Sequence, residues 1–487
     1  MKIFHWKLVS AAAAIVCPLV ASAVVLEPSG QGQVLIYPYY SVQDGNQTLL
    51  SVVNHDRSGK AVKVHIREGR NGRSVATFNL YLAEFDVWTA ALFKASDGIP
   101  GLLTADHSCT VPAIQTSTTL PQLPDGRRYL PLSNADYSGT RADGGSTAFE
   151  RAGSGYIELV EMGSLVDSSD SDDYSTQING VPLSCAQLVG AWADGGYWSR
   201  NAGTDLAAPT GKLSGALSLL QVDQGTAYTV SATALEQFSV IVQHTAPSSA
   251  TPDLAAAVTD PARESVESLV LTGGKFVRSR WPQAQAIDAV SAVLARATVQ
   301  AEYSVEPALS AATDWYISQP TRRHYTDPAL VTVAVPPYTV RFSAGQGCEV
   351  LTKKIYNRES YRPVGFMEPA PPGGTEACLC SATQVLPVNR PLPDPLPASV
   401  CATTPLSTTF GGTVLERGYI DLGLSGNGHR SRTARDGESY EGLPVLGFTT
   451  VRYRNNAARP GEIGLYGTTR SHRGTSECRR NNVDCSP

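Results

Sequence analysis

Hydrophobic and polar residues alternate along the first part of the chain, most regularly in the stretch AVKVHIRE. Three aliphatic residues alternate there with three basic ones: Val62, Val64 and Ile66 with Lys63, His65 and Arg67. A period of two is typical of a strand that buries one face and exposes the other. The pattern therefore predicts that the aliphatic side chains pack in a core and that the basic ones face water.

Similar apolar stretches recur at short intervals, with Gly and Asn turns between them: VLIYPYY, TLLSVVN, SVATFNLYL, DVWTAALF, GYIELVEMG, KLSGALSLLQVD and TAYTVSAT. Short strands at this spacing predict a mainly β protein of antiparallel sheets and favour an immunoglobulin-like sandwich. Between residues 95 and 154 the pattern fades into Gly, Ser, Thr, Asp and Pro. This composition predicts a long surface loop.

The middle of the chain carries helix signals. Asp260 is placed to cap a helix with Pro261 at its first position, and residues 284–303 have the alanine content and apolar spacing of a second helix. We therefore predict a helical insertion over residues 245–312. A short helix bearing Cys185 is predicted in VPLSCAQLVGAW.

Strand patterns return after the insertion, in TDWYISQP, LVTVAVPPYTVRF, TVLERGYIDLGL, LPVLGFTTVRY and GEIGLYG. The proline-dense residues 361–405 predict an irregular loop. These patterns divide the chain into an N-terminal β region (24–244), the helical insertion (245–312) and a C-terminal β region (313–487). One alternative stays open, in which strands after Thr313 pair with strands before Gly163 in a single interwoven body.

The first 23 residues have the pattern of a signal peptide: a basic start, a short apolar run and small residues at Ala21–Ala23. The predicted product is exported, to the periplasm, the cell surface or the medium. Elsewhere no apolar stretch reaches the length of a membrane helix. The chain has 39 Lys and Arg against 44 Asp and Glu, without blocks of like charge, so neither nucleic acid nor a membrane surface is a predicted partner.

Nine cysteines are present, and Cys17 belongs to the predicted signal peptide. The eight others form an even set: Cys109, Cys185, Cys348, Cys378, Cys380, Cys401, Cys478 and Cys485. An even set in an exported chain predicts disulfides, whereas a zinc site needs a second half to match the single CLC motif. We predict Cys109–Cys185 and Cys478–Cys485. Cys378 and Cys380 lie too close in sequence to bond each other without strain, so each is expected to pair with Cys348 or Cys401, in an arrangement left open.

Two clusters of side chains are candidate surface contacts. The stretch TDWYISQPTRRHYTD predicts a strand that buries Trp315 and Ile317 and is followed by three basic residues: Arg322, Arg323 and His324. Beside Asp314 and Asp327 they favour a salt-bridge network over an active site. A second cluster is Trp192, Tyr197 and Trp198, and the strand IYPYYS adds three tyrosines. Such rings bind sugars or, more often, fill a core.

Motifs of catalysis are absent from the sequence: there is no G-x-S-x-G elbow, no H-E-x-x-H helix and no S-x-x-K motif at a helix start. Serine, histidine and aspartate side chains that converge in space are not excluded by this. The acidic run VDSSDSDDYS lacks the glycine and glutamate of a calcium loop and predicts a solvated loop. We predict no catalytic residue, no cofactor and no metal.

Four stretches, in one order along nearly the whole chain, resemble an uncharacterised family of exported β-rich proteins of Gram-negative bacteria: RAGSGYIELVEMG, GALSLLQVDQGTAY, DWYISQPTRRHY and GLPVLGF. The resemblance implies export and one co-linear architecture. It implies no activity and no functional residues.

Two functions remain in view. The first is an exported, non-catalytic surface or extracellular protein with a structural or adhesive role, alone or in an assembly; the alternative is an exported hydrolase or glycan-binding protein. The scarcity of catalytic motifs favours the first. Its expected partners are further copies of the chain or cell-envelope components, bound by strand addition at edges such as Val34–Tyr40.

Overall fold

The computed structural model describes residues 22–359, 376–393, 401–426, 431–459, 462–481 and 483–485. The predicted signal peptide thus lies outside the described residues except for Ser22 and Ala23. Residues 361–375 and 394–400 of the predicted proline-rich loop also lie outside them. The prediction of an irregular loop was wrong for part of the described remainder, since Ala377–Leu379 and Thr383–Pro387 are strands that pair with neighbouring strands. The described chain is mainly β, built from antiparallel sheets, as predicted.

The strands of the first half, in chain order, are β1 (Val24–Leu26), β2 (Val34–Ser41), β3 (Asn46–Asn54), β4 (Lys60–Glu68), β5 (Ser74–Leu82), β6 (Val87–Lys94), β7 (Pro100–Leu103), β8 (Cys109–Val111), β9 (Tyr129–Pro131), β10 (Ser154–Leu165), β11 (Gln177–Ile178), β12 (Val181–Pro182), β13 (Leu206–Ala207), β14 (Leu213–Gln221), β15 (Thr226–Ser231), β16 (Thr233–Glu236), β17 (Ser265–Thr272) and β18 (Lys275–Pro282). The α-helices are α1 (Asp170–Ser175), α2 (Cys185–Ala191), α3 (Tyr197–Arg200), α4 (Ala286–Leu294) and α5 (Arg323–Thr326).

The strands of the second half are β19 (Ala295–Arg296), β20 (Thr298–Ser304), β21 (Ala312–Ser318), β22 (Glu349–Asn357), β23 (Ala377–Leu379), β24 (Thr383–Pro387), β25 (Thr409–Phe410), β26 (Thr413–Val414), β27 (Arg417–Gly423), β28 (Glu438–Glu441), β29 (Leu443–Pro444), β30 (Leu446–Arg459), β31 (Glu462–Ser471), β32 (Arg473–Thr475), β33 (Glu477–Arg480) and β34 (Val483–Asp484).

Two large sheets form the N-terminal half. One has ten strands, in the order β18-β17-β1-β16-β2-β10-β4-β5-β8 with β13 beside β10, and the other has six, in the order β15-β14-β3-β6-β7-β9. Val64 and Ile157 of the first sheet share a core with Leu50, Trp88 and Leu217 of the second. An immunoglobulin-like strand order stays a prediction, because immunoglobulin domains have about seven to nine strands in all.

The C-terminal half contributes a five-stranded sheet (β23-β22-β27-β20-β32) and a four-stranded sheet (β24-β21-β30-β31). The predicted strand β21 buries Trp315 and Ile317 in the core between these sheets, as expected. Its opposite face presents Tyr316, which joins the core of the N-terminal sheets. Among the described residues, the sheet ladders stay within each half. The halves are therefore packed together rather than paired strand to strand.

The predicted helical insertion contains more strand than helix. Asp260 does cap a turn of 3-10 helix, accepting from the Arg263 amide at 3.1 Å, but β17 begins at Ser265. The second helix, α4, ends at Leu294, and the following residues pair with β27 and β29. Cross-strand pairing thus outweighs the helix propensity of these residues. The β17–β18 hairpin turns at two glycines with positive φ, a hairpin signal that the sequence did offer.

Four other predictions are corrected. The stretch Leu330–Phe342 is irregular instead of a strand, because neither Pro336 nor Pro337 has an N–H for a ladder. The predicted surface loop after residue 95 supplies β7, β8 and β9 to the edges of both large sheets. The acidic run is not a loop, since Ser169 caps α1 there. The stretch Val34–Tyr40 is not an edge, because β2 pairs with β10 and β16 on its two sides.

The disulfide predictions are confirmed. Cys109 bonds Cys185 and Cys478 bonds Cys485. The arrangement that the sequence left open is settled as Cys348–Cys380 and Cys378–Cys401. The predicted helix around Cys185 is α2, which the first of these bonds ties to β8.

A buried charged layer and a cleft between the two halves

The basic face of β4 is buried, contrary to its prediction as a wet face. Lys63 and His65 are fully buried and Arg67 is nearly so. The covering chain comes from residues 244–253, where Lys63 Nζ donates to the Ala246 carbonyl at 2.6 Å and His65 Nε2 lies 2.8 Å from the Pro252 carbonyl oxygen. The alternation of β4 is the same whether water or another segment covers its polar face, so the sequence pattern did not distinguish the two.

Five side chains from the large sheet and from the segments that cover it form what we call the charged layer: Arg67, Glu158, Asp253, Arg323 and His324. The register of β4 against β10 puts Tyr156 opposite Arg67 and Glu158 opposite His65. Arg67 Nε donates to Glu158 Oε2 at 2.8 Å. Asp253 comes from the covering segment, and its Oδ2 lies 3.0 Å from Arg323 Nη2 and 3.7 Å from Arg67 Nη2. The charged layer thus joins the large sheet, the covering segment and α5.

The charges of this layer balance when His324 is neutral, since two guanidinium groups then face two carboxylates. Burial lowers the pKa of His324 to about 3, and the charge of Arg323 acts in the same direction. Burial alone would raise the pKa of Asp253, but the charges of Arg67 and Arg323 beside it hold that pKa well below its usual range. Ion pairs that are desolvated and balanced in this way fix the positions of the segments that carry them.

A second charged group lies at the end of β4 and consists of Glu68, Arg73, Asp143, Arg151 and Asp327. Arg151 donates to Glu68 Oε2 at 2.9 Å and to Asp143 Oδ2 at 2.6 Å. Arg73 Nε donates to Asp327 Oδ2 at 3.0 Å. The loop before β10 and the segment after α5 are both fastened to the β4–β5 hairpin by these bonds.

The predicted cluster in TDWYISQPTRRHYTD is therefore dispersed among different partners. Arg323 and His324 meet Asp253, a residue that no sequence pattern marked. Asp327 pairs with Arg73, and Asp314 pairs with Arg390. Arg322, proposed as a surface contact, is buried and donates to the Gly347 carbonyl. The Arg322 guanidinium also lies over the Tyr338 ring.

Of the aromatic cluster, Trp198 is buried, and Trp192 and Tyr197 are half-buried. Trp198 is 1% exposed and stacks on Tyr81 of β5, with ring centroids 5.0 Å apart. Trp192 Nε1 donates to the Tyr81 hydroxyl at 2.9 Å, and the half-buried Tyr197 lies against Trp198. As a correction to the surface-contact prediction, these rings cover the outer face of the large sheet because α2 and α3 fold back onto it.

A cleft of about 320 Å3 opens where the two halves meet. Its walls come from β2, β3 and β15 on one side and from β21, β24 and the segment after β24 on the other. Its lining includes the side chains of Tyr39, Arg70, Tyr228, Asp314, Tyr316 and Arg390. Tyr316 lies at its base, stacked on Phe448 with centroids 4.7 Å apart and tilted against Tyr39 at 4.9 Å.

Disulfide-linked chain supports one wall of the cleft. Gln384 of β24 accepts from the Cys380 amide at 2.8 Å and donates to the Cys378 carbonyl at 2.9 Å. Both cysteines are bridged to other segments. The Thr383 amide donates to the Gly69 carbonyl at 2.7 Å, which ties the wall to the β4–β5 hairpin. The cleft is thus bounded by fixed strands. The sequence had drawn attention to Asp314 and to the tyrosines of β2, whereas Arg390 lay in a stretch predicted to be irregular.

Three cysteines near the cleft form the group of potential metal ligands, among the described residues, that lie close enough together to surround an ion. The Sγ atoms of Cys348, Cys380 and Cys401 are within 4.8 Å of one another. Metal binding by cysteine requires the thiolate, and these sulfurs are engaged in disulfides.

The chain matches no protein-family model, no curated protein and no solved structure. Every helix in the described ranges falls short of the length and apolar character that a bilayer-crossing helix needs. The likeness to an exported family therefore stays a resemblance.

The neutral His324 makes stability depend on pH in a defined direction. Its folded pKa of about 3 lies below its unfolded value of about 6.5, so the unfolded chain takes up a proton first. The contribution of His324 is complete above pH 6.5 and is lost as pH falls toward 3. We expect wild type to lose about 1.4 kcal/mol per pH unit relative to His324→Gln over this interval. Urea unfolding of both proteins at pH 7, 6, 5 and 4 measures the difference, and a difference that is constant with pH contradicts the assignment.

Proposed function

We propose that the protein is an exported, non-catalytic protein of the cell surface or the extracellular space, with an adhesive or structural role, and that it holds its partner in the cleft. The observation that carries the proposal is the cleft itself, a concave surface bounded by strands from both halves. Fixed, preformed concave surfaces with a few convergent polar groups are typical binding sites.

The side chains available in the cleft suit binding better than catalysis. Its described lining consists of amide, hydroxyl, carboxylate, guanidinium, aromatic and aliphatic side chains, and it includes no histidine, lysine or cysteine. Asp314 forms an ion pair with Arg390. This favours a role for its carboxylate as a hydrogen-bond acceptor for a ligand over a role in proton transfer. The hydrolase alternative would use the carboxylates of Asp44 and Asp314, and it is tested directly by looking for product.

Export is part of the same proposal. One disulfide lies within the N-terminal half and three lie within the C-terminal half, and structural disulfides persist in oxidising compartments. The face-to-face antiparallel sheets are of the kind that immunoglobulin-like proteins use as rigid scaffolds for contact surfaces, and we propose that they serve that purpose here.

Cell fractionation tests the proposal. Antibody detection should find the protein on washed cells or in the medium, accessible to added protease, and the purified protein should sediment with washed envelopes. The expected partners are envelope components or further copies of the chain. Recovery in the cytoplasm with free cysteine thiols, or a freely soluble protein that cleaves glycans or peptides, would overturn it.

A further inference from the structure

We infer that the cleft binds a neutral oligosaccharide, with Asp314 and Arg390 as the pair that hydrogen-bonds its hydroxyl groups. The inference rests on the proposed function, because it names the ligand class of the same cleft. Its starting observation is the ion pair between β21 and the segment after β24, which places a carboxylate and a guanidinium side by side in the lining.

A sugar needs both a donor and an acceptor at each recognition point, because each hydroxyl group donates one hydrogen bond and accepts others. Asp314 offers acceptor oxygens and Arg390 offers several N–H donors in a planar fork. The two side chains are partly exposed, at 24% and 45%, so they are accessible from the cleft. The backbone around them is fixed, since Asp314 lies within β21 between β24 and β30.

Tyrosine rings supply a small apolar part of the lining, since Tyr39 is 9% and Tyr228 is 6% exposed. Tyr316 and Tyr39 meet at the base of the cleft, and Tyr228 lies nearby from β15. Burial raises the pKa of Tyr228 above its usual value, so its hydroxyl stays protonated and can donate a hydrogen bond. An apolar floor beside a polar rim matches a saccharide, which has C–H faces and a periphery of hydroxyl groups.

The charge of the cleft favours a neutral ligand. Its lining contains two carboxylates, Asp44 and Asp314, and two guanidinium groups, Arg70 and Arg390. Equal numbers of opposite charges give no net field that would concentrate a polyanion or a polycation. A cleft of about 320 Å3 is also within the size range of small-ligand sites.

A peptide is the rival ligand, and the edge of β24 argues against it. A peptide that extends a sheet needs successive free N–H groups along an edge strand. The backbone N–H groups of β24 that point away from β21 belong to residues 383, 385 and 387, because alternate residues of a strand point to the same side. The Thr383 N–H already donates to Gly69, and Pro387 has no N–H. The edge therefore offers a poor template for strand addition.

Titration calorimetry of the purified full chain, with its disulfides intact, tests the inference. The neutral probes are maltotetraose, cellotetraose, tetra-N-acetylchitotetraose and mannotetraose, with tetragalacturonate and a proline-rich decapeptide for comparison. We expect at least one neutral tetrasaccharide to bind. Asp314→Asn and Arg390→Gln should each weaken that binding about tenfold or more, because each removes a hydrogen bond to a charged group.

A matched control comes from the exposed ion pair between Asp125 and Arg127, which does not line the cleft. Asp125→Asn and Arg127→Gln should leave binding unchanged. The inference is overturned if no neutral tetrasaccharide binds, if the cleft variants bind like wild type, or if only the uronate or the peptide binds. Sedimentation with washed envelopes separates the two proposals: wild type that sediments without binding any saccharide refutes the ligand class alone, and wild type that does neither refutes both.

Discussion

Replacing Asp253 by alanine is expected to lower the free energy of unfolding by about 3–5 kcal/mol. This carboxylate is 8% exposed and lies against Arg67, Arg323 and His324. Its removal leaves the buried guanidinium of Arg67 and the partly buried guanidinium of Arg323 with one carboxylate, Glu158. An uncompensated buried charge costs much more than the ion pair contributes. The substitution also removes the acceptor of the Ala255 amide, at 3.0 Å.

The measurement is guanidinium-induced unfolding at pH 7 with the disulfides intact. Asp125→Ala is the control, because Asp125 is also paired with an arginine but is 49% exposed. Exposed pairs contribute little to stability, because water screens them. Similar losses for the two variants would contradict the view that the charged layer holds the covering segment on the sheet.

Replacing both Cys109 and Cys185 by alanine is expected to cost about 4 kcal/mol, the second large effect. The bond closes a loop with a sequence separation of 76, whereas Cys478–Cys485 has a separation of only 7. In the chain-entropy account, the longer loop restricts the unfolded chain more, so removal of the shorter bond should cost only about 2 kcal/mol. Cys109 is also buried, against Tyr81 and Trp198.

Thermal and denaturant unfolding of the two double variants measures this difference. The variant that lacks Cys478 and Cys485 serves as the control. It also removes two sulfur atoms and one disulfide, but that disulfide closes a short loop. Equal losses for both variants, or a larger loss for Cys478→Ala with Cys485→Ala, would show that loop length does not govern the contribution of these bonds.

The sequence predicted features that depend on residues close together in the chain and on the number and spacing of the cysteines. The inward face of β4 followed from its alternation, and the pairing of Cys478 with Cys485 followed from the short loop between them. The pairing of Cys378 with Cys401 could be narrowed to two arrangements but not chosen. That choice depends on how β22 and β23 align, which is a tertiary property.

The site could be predicted only in part, because its residues meet through long-range packing. Asp314 stood out in the sequence, but its partner Arg390 lies 76 residues away. The basic face of β4 looked like a wet face because its cover, including Asp253, comes more than 180 residues later. The helix predicted from the cap at Asp260 was wrong for a different reason, since the chain that follows the cap forms the β17–β18 hairpin, which turns at Gly273–Gly274.

The central claim is that the cleft binds its ligand without changing it. Its most direct test is to incubate the purified protein with the tetrasaccharide that binds best and with envelope polysaccharide, then to measure new reducing ends and the masses of the recovered sugars. We predict that the bound sugar is recovered intact, and that no reducing ends appear beyond those of a protein-free control. New reducing ends that vanish in Asp314→Asn or in Asp44→Asn would contradict the claim and identify the protein as a hydrolase.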